Sequence, residues 1–222
     1  MAILQVSLEE LEMYLKLWMD VFELDDLLYL KIIKTYRPGM RVSPKFVFKY
    51  FIRFLELWGM RQAAPWIDPY ELADAINGNA DQIASFNQSL VKTDVIKRAD
   101  ELLSVFRQLM KVKHLGPTGV SKVLHLLNPK FFIMWDREIA RAYGVNPNPE
   151  GYLEFTLMMR ELGRKVLSMC SERYGWRNPE AELARKYRGK PLTKLLDEYN
   201  WLKTRRWINR LLALEVNRQA QV

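Results

Sequence analysis

The fold is decided by the run Leu109-Met-Lys-Val-Lys-His-Leu-Gly-Pro-Thr-Gly-Val-Ser-Lys-Val-Leu-His-Leu-Leu-Asn-Pro-Lys-Phe-Phe-Ile-Met-Trp-Asp-Arg-Glu-Ile-Ala-Arg-Ala-Tyr-Gly144. An apolar, basic helix end is followed by a turn that contains Gly116 and Gly119, and then by an apolar segment over 120–127. Asn128-Pro129 ends that segment, and Asp136 follows an apolar run. The pattern predicts two helices joined by a tight hairpin, followed by a carboxylate that opens a third helix.

Outside this run, apolar and aromatic residues recur at helical spacing, and no segment shows the alternation typical of a strand. Capping residues followed by proline mark several helix starts, at Ser43-Pro44, Asp68-Pro69 and Asn178-Pro179. We expect one helix over 93–113 and a last helix that begins at Pro191. The chain is therefore predicted to be all-α, with about ten helices in one compact or two-lobed domain over residues 1–222.

The composition favours an anionic partner. Lys and Arg number 34 against 26 Asp and Glu, which gives a formal net charge of +8. Nucleic acid is the first candidate for such a partner, although a basic surface that only maintains solubility has the same composition. The single Cys170 excludes an intramolecular disulfide and a four-cysteine metal or iron–sulfur site, and two histidines are too few for most zinc sites. We expect neither a metal nor a cofactor.

No apolar run reaches the length that spans a membrane, and the first residues carry charges where a signal peptide would be apolar. We therefore expect a cytoplasmic protein without a membrane partner, associated with the nucleoid if the source is prokaryotic. We also expect a monomer.

The hairpin turn is a candidate phosphate-binding element. Backbone amides at a helix N-terminus attract anions without any preference for a base, and flanking lysines add attraction to phosphate. An ordinary turn between two helices would have the same residues. The candidate phosphate-binding residues are Lys113, Gly116, Thr118, Gly119, Val120, Ser121 and Lys122.

Asp136 has two interpretations. Aspartate is a favoured N-cap, and a short helix follows it. The apolar run Phe131-Phe132-Ile133-Met134-Trp135 precedes it, however, so its carboxylate is expected at the wall of the interior. An ionised carboxylate in that position can orient a water molecule or stabilise a cationic sugar during cleavage of a glycosidic bond.

Residues 103–144 resemble the helix-hairpin-helix DNA glycosylase superfamily. The resemblance rests on the hairpin Leu115-Gly116-Pro117-Thr118-Gly119-Val120-Ser121 and on Asp136, which follows Thr118 by 18 residues. It implies an all-α DNA N-glycosylase of base excision repair, a hydrolase that binds double-stranded DNA, turns a damaged or mispaired base out of the stack and cleaves its N-glycosidic bond. The catalytic aspartate would be Asp136.

The chain departs from the family at two positions of the hairpin. His114 replaces the first hairpin glycine, and Thr118 occupies the position of the lysine that forms a Schiff base in members that also cut the strand. Lys122, one helical turn later, is a less favoured substitute. The resemblance therefore implies a monofunctional enzyme that releases a base and leaves the strand uncut.

Other functions remain open at this point. The alternatives are a non-catalytic helix-hairpin-helix DNA-binding protein and a helical protein-interaction domain. If a base is extruded, an aromatic side chain should stack on it, and the candidates are Trp58, Trp66 and Trp135. Each of these is otherwise read as a core residue.

Overall fold

The computed structural model describes residues 6–205 and 208, apart from the side chains of residues 23–25. Within these residues every regular element is helical, so the predicted all-α class is confirmed. The eleven α-helices of this part of the chain are α1 (Leu8–Thr35), α2 (Pro44–Phe46), α3 (Arg53–Leu55), α4 (Pro69–Gly78), α5 (Ala80–Ser85), α6 (Ala99–Met110), α7 (Gly116–Leu127), α8 (Arg137–Tyr143), α9 (Pro149–Tyr174), α10 (Pro179–Lys186) and α11 (Leu192–Thr204).

Residues 44–60 form one helical run, in which α2 and α3 alternate with two π-helical segments. Val47–Ile52 lies between the two α-helices, and Glu56–Met60 follows α3. The second segment contains Trp58 and Gly59 in non-helical conformations, and Gly59 has a φ of 92°, which a residue without Cβ adopts readily. π-Turns widen a helix locally and are frequent at functional sites. This end of the helical run is therefore a candidate part of a functional cleft.

Helix starts follow the predicted caps. The side-chain oxygens of Ser43, Asp68 and Asn178 each accept a hydrogen bond from an amide of the first helical turn. Ser7 and Asn148 cap α1 and α9 in the same way. Asp136 caps α8 in the same way. These interactions are local in sequence, which is why the sequence pattern locates them.

Several boundaries differ from the predictions. The helix expected over 93–113 is α6, which is shorter because a 3₁₀ turn and further turns occupy residues 90–98. The second hairpin helix begins at Gly116, four residues before the predicted segment, with Pro117 in its first turn, where a missing N–H costs nothing. The helix predicted to begin at Pro191 is α11, which runs from Leu192 to Thr204 with Pro191 as its N-cap residue.

One hydrophobic cluster extends through the described residues from Val6 to Ile208, so they form a single unit. The long helix α1 packs along α11, and α9 packs against α6 and α11. Phe22 has non-helical dihedral angles and kinks α1. None of the described helices is long and apolar enough to cross a membrane.

Candidate active site

A cleft of about 320 Å³ opens where the kink of α1, the π-helical segment 56–60, the start of α7, the start of α8 and the end of α11 meet. Its walls are aromatic, and its polar groups come from four separate segments of the chain. The aromatic residues are Trp18, Phe22, Trp58, Trp135 and Trp201, and the polar residues include Arg61, Thr118, Lys122, Asp136, Asp197 and Arg205.

Asp136 lies in the wall of this cleft with both carboxylate oxygens engaged. Oδ1 accepts a hydrogen bond of 2.9 Å from the amide of Ile139, which makes Asp136 the N-cap of α8. Oδ2 forms an ion pair with the guanidinium of Arg205. The Asp136 side chain keeps 20% of its surface exposed, so it remains accessible from the cleft.

The hairpin and the segment before Asp136 are tied together. The indole Nε1 of Trp135 donates to the carbonyl of Pro117 at 3.2 Å. The hydroxyl of Ser121 accepts a hydrogen bond of 3.3 Å from the amide of Trp135. Because these bonds join residues far apart in sequence, the start of α7 and Asp136 hold a fixed relative position.

Lys122 projects from α7 into the same cleft and is only 5% exposed. Its ammonium has no hydrogen bond and no ion pair within the described part of the chain, and its nearest aromatic contact is the Trp58 ring at 5.8 Å. Burial lowers the pKa of Lys122, and the positive charges of Lys194 and Arg205 act in the same direction. The carboxylates of Asp197 and Asp136 oppose this shift without cancelling it.

Two other buried lysines, Lys190 and Lys194, are fully paired, which makes Lys122 distinctive. Lys190 contacts the carboxylates of Asp26 and Glu198, the latter at 2.7 Å. Lys194 lies 2.9 Å from Glu198 and 3.3 Å from Asp197. Burial acts against the charge of Lys194, but Glu198, Asp197 and Asp26 outweigh it and raise the pKa of this ammonium. We call these five residues the buried ionic cluster.

The buried ionic cluster supports the aromatic wall of the cleft. The Lys194 ammonium lies 4.1 Å from the Trp58 ring centroid and 4.7 Å from that of Trp18, so it faces both rings. The indole of Trp18 donates to Asp26 at 3.2 Å, and the rings of Trp18 and Trp58 stack 5.7 Å apart. The cluster therefore fixes the position of two cleft walls.

Replacing Lys194 by methionine should destabilise the protein by about 3 kcal/mol, because Asp197 and Glu198 then remain buried with one fewer counter-charge. Urea unfolding followed by circular dichroism measures this change. The matched control is Arg185→Met, which removes an exposed pair with Glu182 and should cost less than about 1 kcal/mol. Equal losses of stability in the two variants would show that the cluster is not a structural element.

The predicted base-stacking residues do not lie together. Trp58 and Trp135 line the cleft, whereas Trp66 is 73% exposed and does not line it. Trp135 is almost fully buried against Tyr152 and Phe155. This position suits a fixed residue at the bottom of the cleft better than a side chain that moves to stack on a base. Trp18 and Trp201, which also line the cleft, were not among the predicted residues.

The predicted phosphate-binding residues also differ in whether a phosphate could reach them. Only the amides in the first turn of a helix lack an intrahelical acceptor, so with α7 beginning at Gly116 the available donors are Gly116 and Thr118, since Pro117 has no N–H and Gly119 is buried. Val120 and Ser121 lie in the next turn and are fully buried, so a phosphate does not reach their amides in this structure. Lys122 points into the cleft and Lys113 is exposed at the hairpin.

The hairpin turn forms without its first glycine. His114 adopts a φ of 66°, in the left-handed region that favours glycine, and Gly116 has a φ of 58°. Thr118 lines the cleft. The side chain that supplies an amine to this cleft is Lys122.

Much of the basic charge near the C-terminal end of the described residues is internal or paired. Lys190 and Lys194 are buried in the ionic cluster. Lys186 pairs with Glu12, Lys203 with Glu10, and Arg205 with Asp136. Arg206 and Arg210 lie outside the described residues.

The chain matches no protein-family model, no curated protein and no solved structure.

Proposed function

We propose that this protein binds double-stranded DNA and releases a base by cleaving its N-glycosidic bond. The observation that carries the proposal is the cleft that holds Asp136 beside an unpaired, buried lysine between aromatic walls. Its volume of about 320 Å³ lies at the lower end of ligand pockets, which run from roughly 300 to 1,000 Å³. A cleft of that size suits one extruded base stacked on indole rings.

Asp136 is the proposed catalytic carboxylate. When the bond between C1′ of the sugar and the base nitrogen breaks, its electron pair leaves with the base and positive charge develops on the sugar. A carboxylate close to the sugar stabilises that charge in the transition state more than in the ground state, which is what accelerates the step. The aromatic walls exclude water and so strengthen this interaction.

Lys122 favours a second activity at the same site. A neutral amine can attack C1′ in place of water and form an imine with the sugar, after which elimination of the 3′ phosphate cuts the strand. The resemblance through Thr118 implies an uncut strand, because a hydroxyl cannot form an imine. The burial of Lys122 and its lack of a counter-ion support the amine route instead.

The DNA-binding part of the proposal has its own support. The amides of Gly116 and Thr118 lie at the start of the helix that carries Lys122, so a phosphate held there would lie near the cleft. The net charge of +8 adds long-range attraction to a polyanion.

Two measurements test the proposal. Affinity for a duplex should fall steeply between 50 and 200 mM salt, by roughly a hundredfold or more if several phosphates are contacted. Single-turnover assays on duplexes that carry different damaged bases should then detect base release. Binding without base release on any duplex would favour the non-catalytic DNA-binding alternative. An absence of binding at low salt would favour a helical protein-interaction domain.

A further inference from the structure

The carboxylate of Asp136 is engaged on both sides in the free protein. Oδ1 is held by the amide of Ile139 and Oδ2 by the guanidinium of Arg205. A carboxylate whose charge is offset by an arginine is poorly suited to stabilise a sugar cation, and the guanidinium itself would repel that cation. The ion pair must therefore open before Asp136 can act as proposed.

Arg205 is placed so that it can change partners without a change of fold. It is the C-cap residue of α11, its guanidinium lies 4.7 Å from the Trp201 ring, and its side chain lines the cleft. Asp136 is its sole carboxylate partner within the described residues. The helix behind it is anchored by Lys194, Asp197 and Glu198 of the buried ionic cluster. The long side chain is therefore the movable part.

Opening the pair does not dismantle the site. The N-cap bond of α8 uses Oδ1, whereas the ion pair uses Oδ2, so Oδ2 can be released while α8 stays capped. Trp135, next to Asp136, remains fixed by its bond to the Pro117 carbonyl. Releasing Arg205 would expose one carboxylate oxygen in an otherwise unchanged position.

We propose that Arg205 moves from Asp136 to a phosphodiester of the extruded nucleotide, so that DNA binding itself frees the carboxylate. The inference rests on the proposed function, because it assumes that Asp136 acts on the sugar of bound DNA. A phosphodiester is the fitting competitor for Asp136 because the guanidinium of Arg205 presents paired donors that match the phosphate oxygens. Whenever no DNA is bound, the negative charge of Asp136 is then offset by the guanidinium of Arg205.

We call this movement of Arg205 from Asp136 to a phosphodiester the exchange. A double-mutant cycle on DNA affinity tests it. The probe is a duplex that carries one tetrahydrofuran abasic-site analogue, whose nucleotide is easily extruded and cannot react. Arg205→Gln should weaken binding and reduce the slope of log affinity against log salt by about one phosphate contact. Asp136→Asn should tighten binding about fivefold in the wild-type background, because Arg205 no longer has to leave a carboxylate. In the Arg205→Gln background the same change should have little effect.

The cycle separates the exchange from simple charge removal. Glu138→Gln, on the exposed side of α8, removes one negative charge nearby and should act equally in both backgrounds. If Asp136→Asn also tightens binding equally in both backgrounds, or if Arg205→Gln leaves the salt slope unchanged, the exchange is overturned.

Failure of the exchange can be told apart from failure of the proposed function. Base release by a protein that shows no coupling between Asp136 and Arg205 overturns the exchange alone. Coupling without base release from any damaged duplex supports the exchange and overturns the excision chemistry. If the wild-type protein does not bind the probe at low salt, both proposals are overturned.

Discussion

Asp136→Asn is expected to lower the single-turnover rate of base release by about a thousandfold, which is the scale of losing one preorganised group that stabilises transition-state charge. Asparagine keeps the side-chain oxygen that accepts the Ile139 amide, so α8 should remain capped. The variant loses the carboxylate charge and the pair with Arg205. Its effect should therefore lie in the chemical step, with DNA binding retained or tightened.

The measurement compares wild type and Asp136→Asn on whichever damaged duplex the wild type processes. Glu138→Gln is the matched control, since it removes an exposed carboxylate from the same helix and should leave the rate within about twofold. Urea unfolding should show that Asp136→Asn costs no more than about 1 kcal/mol, as expected for a partly exposed ion pair. Base release that is unchanged in Asp136→Asn would remove Asp136 from the mechanism.

Much of the fold could be predicted because its signals are local. Capping side chains such as Ser7, Ser43 and Asp136 lie within three residues of the amides that they bind, so the sequence alone locates these helix starts. The sequence predicts too late a start for α7 because Gly116-Pro117 is typical of a turn between helices. Gly116 takes a left-handed φ, and Pro117 fits the first turn.

The site was only partly predictable because its decisive contacts are distant in sequence. The buried lysines of α11 and of the residues before it depend on Asp26, which comes from α1 at the other end of the chain. Asp26 pairs with Lys190, and its charge raises the pKa of Lys194. The partner of Asp136 is Arg205, 69 residues away. Burial of charged groups of this kind depends on how helices pack, which periodicity does not specify.

A signal for Lys122 was nevertheless present in the sequence. It lies in a mostly apolar stretch from Val120 to Leu127, whose other polar side chains are Ser121 and His125. Lys122 and His125 are both buried: His125 bonds to Tyr29 at 2.9 Å and to the Phe132 carbonyl, and burial lowers its pKa to about 3. His125 thus has partners and is a core residue. A lysine on the buried side of such a helix without a partner is the stronger indication of function.

Lys122→Gln is expected to abolish covalent capture of a duplex that carries a natural abasic site. In the proposed reaction the neutral amine forms an imine with the sugar aldehyde, and borohydride reduces that imine to a stable bond. We expect capture in Lys122→Gln to fall at least about a hundredfold, and strand cutting to fall with it. Because the abasic site is supplied directly, this test does not require the identity of the base that the protein releases.

Two further variants isolate the role of the amine. Lys122→Arg keeps a positive charge but remains protonated at working pH, so it should also lose capture if attack by the amine is required. Lys113→Gln removes an exposed lysine at the hairpin and should capture the abasic site as efficiently as wild type. Full capture by Lys122→Arg, or a mass-spectrometric adduct on another lysine, would contradict the assignment.

The pH dependence of covalent capture is an independent test of the role of the Lys122 amine. The pKa of Lys122 is lowered by burial, so its amine becomes neutral at a lower pH than an ordinary lysine, whose pKa is about 10.4. The capture rate should therefore rise about tenfold per pH unit below this lowered pKa and level off above it, before pH 10.4 is reached. Lys194→Met removes a positive charge that lowers the pKa of Lys122, so it should move the plateau to higher pH. A plateau that stays in place in Lys194→Met would mean that the buried ionic cluster supports the cleft walls without tuning the amine.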